Sequence, residues 1–144
     1  MSIGLVVVTH GESGADLRAE AEFILGESLE AVQAVAFSHS ESQRDEIYQI
    51  HAAIGAADSG DGVLVLTDLM GASPSNRVAT LLEHHNAVMV TGVNLAMLLC
   101  VGAAPASQPP QLIAYEIEDQ FETVHADSEV RERLVVVIAA GRKG

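Results

Sequence analysis

GLVVVTHGES, residues 4–13, is an unbroken apolar run that stops at Thr9, His10 and Gly11. Continuous hydrophobicity at this length suits a strand covered on both faces, as in a parallel sheet, because a strand with one face in water would alternate. GVLVL (62–66) and AVMV (87–90) repeat the pattern, and AVQAVAF (31–37) is a weaker fourth run. Between the runs the apolar residues take helical spacing. Phe23, Ile24 and Leu25 close one segment, Ile47, Ile50, His51 and Ile54 line one face of a second, and Val78, Leu81 and Leu82 mark a third. Strand and helix alternate, which predicts an α/β domain: a doubly wound, mainly parallel four-stranded sheet with helices on both faces and right-handed crossovers.

The third helix has the clearest start, because in ASPSN the Ser73 side chain can cap free amides while Pro74 fits the first helical turn. A fourth, LAMLLCVGAA after Asn94, runs until Pro105, Pro109 and Pro110 stop it. LIAYEIEDQFETVHAD has no clean period. The closing RLVVVIAAGRKG reads as a strand by its β-branched run or a helix by Ala139, Ala140 and Gly141, and helix is favoured. At 144 residues the chain reads as one domain, with a core over 1–104, an irregular or additional segment over 105–127, and a C-terminal helix or strand over 128–144.

Composition narrows the function classes. No stretch reaches the roughly 18 apolar residues of a membrane span, and the N-terminus lacks the pattern of a signal peptide, so a cytoplasmic protein is expected. Cys100 is the one cysteine and cannot form an internal disulfide; it reads as a buried small hydrophobe. Twenty acidic residues against seven basic give a net charge of −13, which repels nucleic acid and suits encounter with a basic protein surface. There is neither a GxxxxGK[ST] loop nor a GxGxxG turn, so no nucleotide site is expected.

Chemistry in open α/β sheets collects beyond the carboxyl ends of the strands. Here those ends read Thr9-His10-Gly11, Thr67-Asp68-Leu69 and Thr91-Gly92-Val93-Asn94. On neighbouring strands His10 and Asp68 share one rim, where the carboxylate holds one imidazole nitrogen and leaves the other free as a nucleophile. Gly11 lets a ligand approach the backbone, and Ser73 opens a helix whose amides and positive dipole end make an anion site. A phosphoryl group fits such a rim, since its transfer needs mainly positioning and charge stabilisation. Without a nucleotide site, the donor would be another phosphorylated protein. Glu12 and Ser13 read as the start of the first helix.

VVVTHG (6–11), GVLVLTDLMGASPSN (62–76) and VTGVNLAMLL (90–99) agree in order and spacing with one family. The chain resembles the IIA component of the mannose (mannose, fructose, sorbose) family of the bacterial phosphoenolpyruvate-dependent sugar phosphotransferase system. The resemblance implies that His10 accepts a phosphoryl group from the histidine phosphocarrier protein and passes it to a IIB component. It also implies that Asp68 orients the ring on its proximal nitrogen, leaving the distal one to be phosphorylated. Ser73, Gly11, Gly71 and Ala72 would bind the phosphate, without metal or cofactor. The family fold is a homodimer exchanging an antiparallel strand from the C-terminal segment; this chain departs there, ending at GRKG with an additional stretch before it. No IIB domain follows, so a separate acceptor protein is expected.

Other readings compete. A regulatory phosphoprotein would keep His10 but have its phosphorylation state read by a partner. A tetrapyrrole chelatase would bind metal at the His-Gly and recruit His84 and His85, although adjacent helical residues point apart, and the pair reads better as a solvated helix end. A histidine phosphatase needs an arginine where this chain has Thr9, and a Ser73-His10-Asp68 hydrolase lacks the GxSxG elbow. The phosphoryl carrier subunit serving dihydroxyacetone kinase shares the histidine, but DLMGASPSN fits the sugar family better. His39, His51 and His125 have no partner apparent in the sequence.

Overall fold

The computed structural model describes residues 3–29, 31–103, 108–124 and 139–140. In chain order the elements are β1 (Gly4–His10), α1 (Ser13–Leu25), β2 (Val32–Phe37), α2 (Gln43–Ala57), β3 (Val63–Thr67), α3 (Ser73–Leu81), a 3₁₀ turn over Leu82–His84, β4 (Ala87–Thr91), α4 (Leu95–Ala103), α5 (Pro110–Val124) and β5 (Ala139–Ala140). All four apolar runs are strands. They lie in the order β2-β1-β3-β4-β5; the first four are parallel and β5 is antiparallel to β4.

The pleat explains why these runs are apolar throughout. Leu5, Val7, Leu64, Leu66, Val88 and Val90 face a core closed by α1, α4 and α5, through residues such as Ala21, Met97, Leu98, Ile113 and Ile117. Their neighbours Val6, Val8, Val63, Val65, Ala87 and Met89 face a second core closed by α2 and α3, through Ile50, Ile54, Val78 and Leu81. Each fully buried aliphatic side chain contributes about 1.5–3 kcal/mol, so both faces of β1, β3 and β4 are intolerant of polarity, while the edge strand β2 carries Gln33 at a part-buried position. An Arg77 to Glu46 pair at 3.1 Å fastens α3 to α2 across the second core, with Glu46 buried.

Local signals set the helix boundaries. Ser42 caps α2 by accepting from the Asp45 amide, Asn94 does the same for α4 through Met97, and Gly26 ends α1 in the left-handed conformation at φ +67°. Cys100 is half-buried and packs against the first core as a small hydrophobe.

The structure differs from expectation in four places. The segment expected to be irregular, 105–127, contains α5: Pro110 sits at the start of that helix, where a missing amide costs nothing, and Ile113, Ala114 and Ile117 supply the face it buries. The favoured C-terminal helix is corrected at Ala139–Ala140, which pair as β5 with Met89 and Val88; β4 would otherwise leave its backbone groups unpaired on that side. The flanking positions, 128–138 and 141–144, lie outside the described residues. Phe23 and Ile24 are exposed rather than inward. His51 leaves the apolar face of α2 and stands in solvent.

Candidate functional site

From β1 the chain runs outward to β2 and then returns to place β3 on the other side of β1. Ligands bind such sheets where the strand order reverses, beyond the carboxyl ends. That point lies between β1 and β3. Val8 is in register with Thr67, so His10, ending β1, and Asp68, following β3, meet on one rim.

Asp68 holds His10 twice with the same oxygen. Its Oδ2 accepts the backbone N–H of His10 at 2.9 Å and contacts Nδ1 of the ring at 2.7 Å. An ionised carboxylate only accepts, so Nδ1 carries the proton and Nε2 presents its lone pair. The other oxygen, Oδ1, takes the Leu69 amide at 2.9 Å and orients the carboxylate. The His10 carbonyl is bound in turn by Ser13 Oγ at 2.7 Å. The imidazole packs beside Phe37 and His39, with ring centroids 6.3 and 6.2 Å away, and keeps 38% of its side-chain surface exposed.

On the β1 side two of the backbone amides are already used. Gly11 takes up φ +54°, which favours glycine, but its N–H donates to the Phe37 carbonyl at 3.1 Å and so extends the β1–β2 ladder. The Gly14 amide, at the start of α1, donates to the buried Thr9 hydroxyl at 2.8 Å. The β3–α3 side is different. In α3 the first amide with an intrahelical acceptor is that of Asn76, bound to Ala72 at 3.0 Å; Ser73 and Ser75 precede it, and Pro74 has no N–H. These amides sit at the positive end of the helix dipole, an arrangement that favours anions.

Ser73 does not cap α3. Ala72 occupies the cap position in an extended conformation with no side-chain cap bond, and Ser73, the first helical residue, is exposed. Gly71 takes φ +77°, and the Ala72 amide makes a long turn bond of 3.3 Å to Leu69. The serine that organises this loop is Ser75, which the sequence reading missed. Its hydroxyl donates to the Leu69 carbonyl at 2.6 Å and pairs with the Thr67 hydroxyl at 2.8 Å, both groups being buried. A threonine ending a strand and a serine one residue into the helix after Pro74 was the available signal.

The remaining histidines also rearrange the expectations. His85 is not simply solvated: its Nε2 lies 2.9 Å from Nδ1 of His51, the partner that the sequence did not reveal. Burial, then the neighbouring His51 and His84, lower the His85 pKa, and Asp58 opposes them. His84 contacts Glu83 at 3.5 Å. Among the described residues no three His, Cys, Asp or Glu side chains group as a metal site, and no helix is long and apolar enough to cross a membrane.

Residues 4–114 match the profile of the family described as the fructose IIA component of the phosphotransferase system, EIIA-man. The chain is 33% identical over 131 residues to the mannose-specific EIIAB component of Escherichia coli strain K12, and equally to that of Shigella flexneri. Those alignments cover 88% of this chain but only 40% of the relatives, so the chain spans less than half of their length. Among solved structures, the fold is similar to the mannose/sorbose specific IIA subunit from Enterococcus faecalis, with TM-score 0.74 and 23% identity over 87% of this chain and 94% of that one. It is also similar to the phosphotransferase system component EIIA from Streptococcus agalactiae, with TM-score 0.73 and 22% identity over 89% and 98% of the two chains.

Proposed function

We propose, from the fact that this chain belongs to the EIIA-man family of phosphotransferase system IIA components, that it is a phosphocarrier loaded on His10. The donor is the phosphohistidine of the histidine phosphocarrier protein, and the acceptor is a IIB component. One observation carries the reading: the 2.7 Å contact between His10 Nδ1 and Asp68 Oδ2, which leaves Nε2 deprotonated on an open rim.

In the transfer, the phosphorus to nitrogen bond of the donor breaks as a bond to His10 Nε2 forms, and the donor imidazole leaves with its electron pair. Nδ1 keeps its proton throughout. Positive charge develops on the His10 ring, and the adjacent carboxylate stabilises it, so Asp68 acts more strongly on the product than on the neutral starting ring. The amides of Ser73 and Ser75 would hold the phosphoryl oxygens. Donor and product contain the same kind of bond, so the step is nearly isoenergetic and runs in either direction. Residues 1–144 act as one carrier domain in this reading, working as a dimer in the cytoplasm.

The test is to incubate the protein with phosphoenolpyruvate, enzyme I and the histidine phosphocarrier, then map an acid-labile phosphoryl group by mass. A label on His10, absent in His10→Ala, is expected. A folded protein that stays unlabelled beside an active donor would refute carrier chemistry.

A further inference from the structure

The rim contains a second imidazole. His39 lies two residues beyond Phe37, which pairs with His10 across β1 and β2. A tight turn displays it: Ser38 and Ser40 join their hydroxyls at 2.7 Å, and the Ser40 amide donates to Ser38 Oγ at 3.3 Å. The His39 ring is exposed, tilted 39° to that of His10 with centroids 6.2 Å apart. This separation leaves the rings unbonded to each other but within reach of a group seated between them. Nδ1 of His10 is committed to Asp68, so Nε2 is the atom on which that group would be carried.

Several of the donors on this side are already occupied. The Gly11 and Gly14 amides are spent on Phe37 and Thr9. Among the described cations, Arg18 is bound to Glu22 and the Val32 carbonyl, and Arg77 to Glu46; Arg44 lies on the first turn of α2. The titratable groups on the elements that meet here are His10 and Glu12 after β1, Asp68 after β3, and Glu41 beyond the turn, whose carboxylate is taken by Gln49 at 2.8 Å.

We infer that His39 is a second phosphoryl-binding residue: its ring N–H donates to an oxygen of the phosphoryl group on His10 Nε2, from the side opposite the β3–α3 loop. No covalent step passes through His39. A neutral imidazole suffices as donor, since one of its ring nitrogens carries an N–H. The inference rests on the carrier reading and adds to it a residue on the β2 side.

The experiment loads wild type, His39→Ala, His39→Gln and Arg44→Gln from the phosphorylated carrier at neutral pH, following the rate of labelling and of spontaneous loss. His39→Ala should load about tenfold more slowly, the loss of one hydrogen bond to a charged group. His39→Gln, which retains an N–H donor, should recover part of the rate. Arg44→Gln should behave as wild type. Loading by His39→Ala within about twofold of wild type, no recovery in His39→Gln, or an equal loss in Arg44→Gln would each overturn the inference while leaving the carrier reading intact. An unlabelled wild type would sink both.

Discussion

Asp68→Asn separates the charge of the carboxylate from its shape. Its two oxygens receive three N–H groups, two from His10 on Oδ2 and one from Leu69 on Oδ1. A carboxamide has one oxygen and one NH2. If the oxygen stays on His10, the Leu69 amide loses its acceptor, costing about 1 kcal/mol on an exposed loop. If the NH2 turns to His10, Nδ1 must accept, the proton moves to Nε2, and the nucleophile is blocked. Even the better orientation exchanges a charge-assisted bond worth about 1.5–3 kcal/mol for a neutral one of about 0.5–1.5. The difference, about 1–2 kcal/mol, is taken at its lower end in the ground state because the imidazole is 38% exposed and partly screened. Charge developing on the ring adds to it in the transition state. Transfer to His10 should therefore fall ~10–100-fold with the fold intact. Quenched-flow mass measurement reads the rate, and ring nitrogen chemical shifts of His10 read the tautomer, Nδ1–H in wild type and mixed in the variant. A rate within about threefold of wild type, with Nδ1–H still dominant, would refute the argument that the carboxylate charge activates the ring.

Ser75→Ala should destabilise the protein by roughly 1–3 kcal/mol in urea unfolding, because the buried Thr67 hydroxyl and the Leu69 carbonyl lose a shared partner; Ser73→Ala, which removes no cap bond, should leave stability nearly unchanged. Either single replacement, Glu46→Ala or Arg77→Ala, should cost about 1–3 kcal/mol, less than a fully buried pair because Arg77 retains 23% exposure, and the double variant should cost less than the sum. His85 has a lowered pKa in the fold, so the unfolded chain binds its proton first as pH falls. Its contribution is fully present above the ordinary imidazole range near 6.5 and is lost as pH drops through the folded value. His85→Asn should accordingly show a smaller drop in Tm between pH 7.5 and 5.5 than wild type.

Most of the sheet could be read because burial on both faces leaves an unmistakable mark: β1, β3 and β4 need no polar residue until they end, and only the edge strand β2, with Gln33 in it, gives a weaker signal. His10 and Asp68 could be paired for the same reason, since ending apolar runs on neighbouring strands puts their next residues on one rim. What could not be read depended on direction and on distant partners. Ser73 and Ser75 are equivalent in composition, and only the start of α3 at Ser73, with Ala72 as its cap, decides that Ser75 turns inward to Thr67. His51 sits at helical spacing with Ile47, Ile50 and Ile54, yet at the margin of that face, where the His85 ring meets it. Pro109 and Pro110 signal a stop and a start equally well; the apolar face of α5 decides between them only once β3 and β4 are there to cover.

The exposure of His10 has a kinetic consequence. The opening that admits a partner to Nε2 also admits water, since the His10 side chain keeps 38% of its surface exposed while Asp68 and Ser13 hold its backbone. A phosphoryl group placed there would have a lifetime set by competition between hydrolysis and collision. Its occupancy would follow the moment-to-moment ratio of charged donor to empty acceptor, so the site would work as a meter of supply rather than a store.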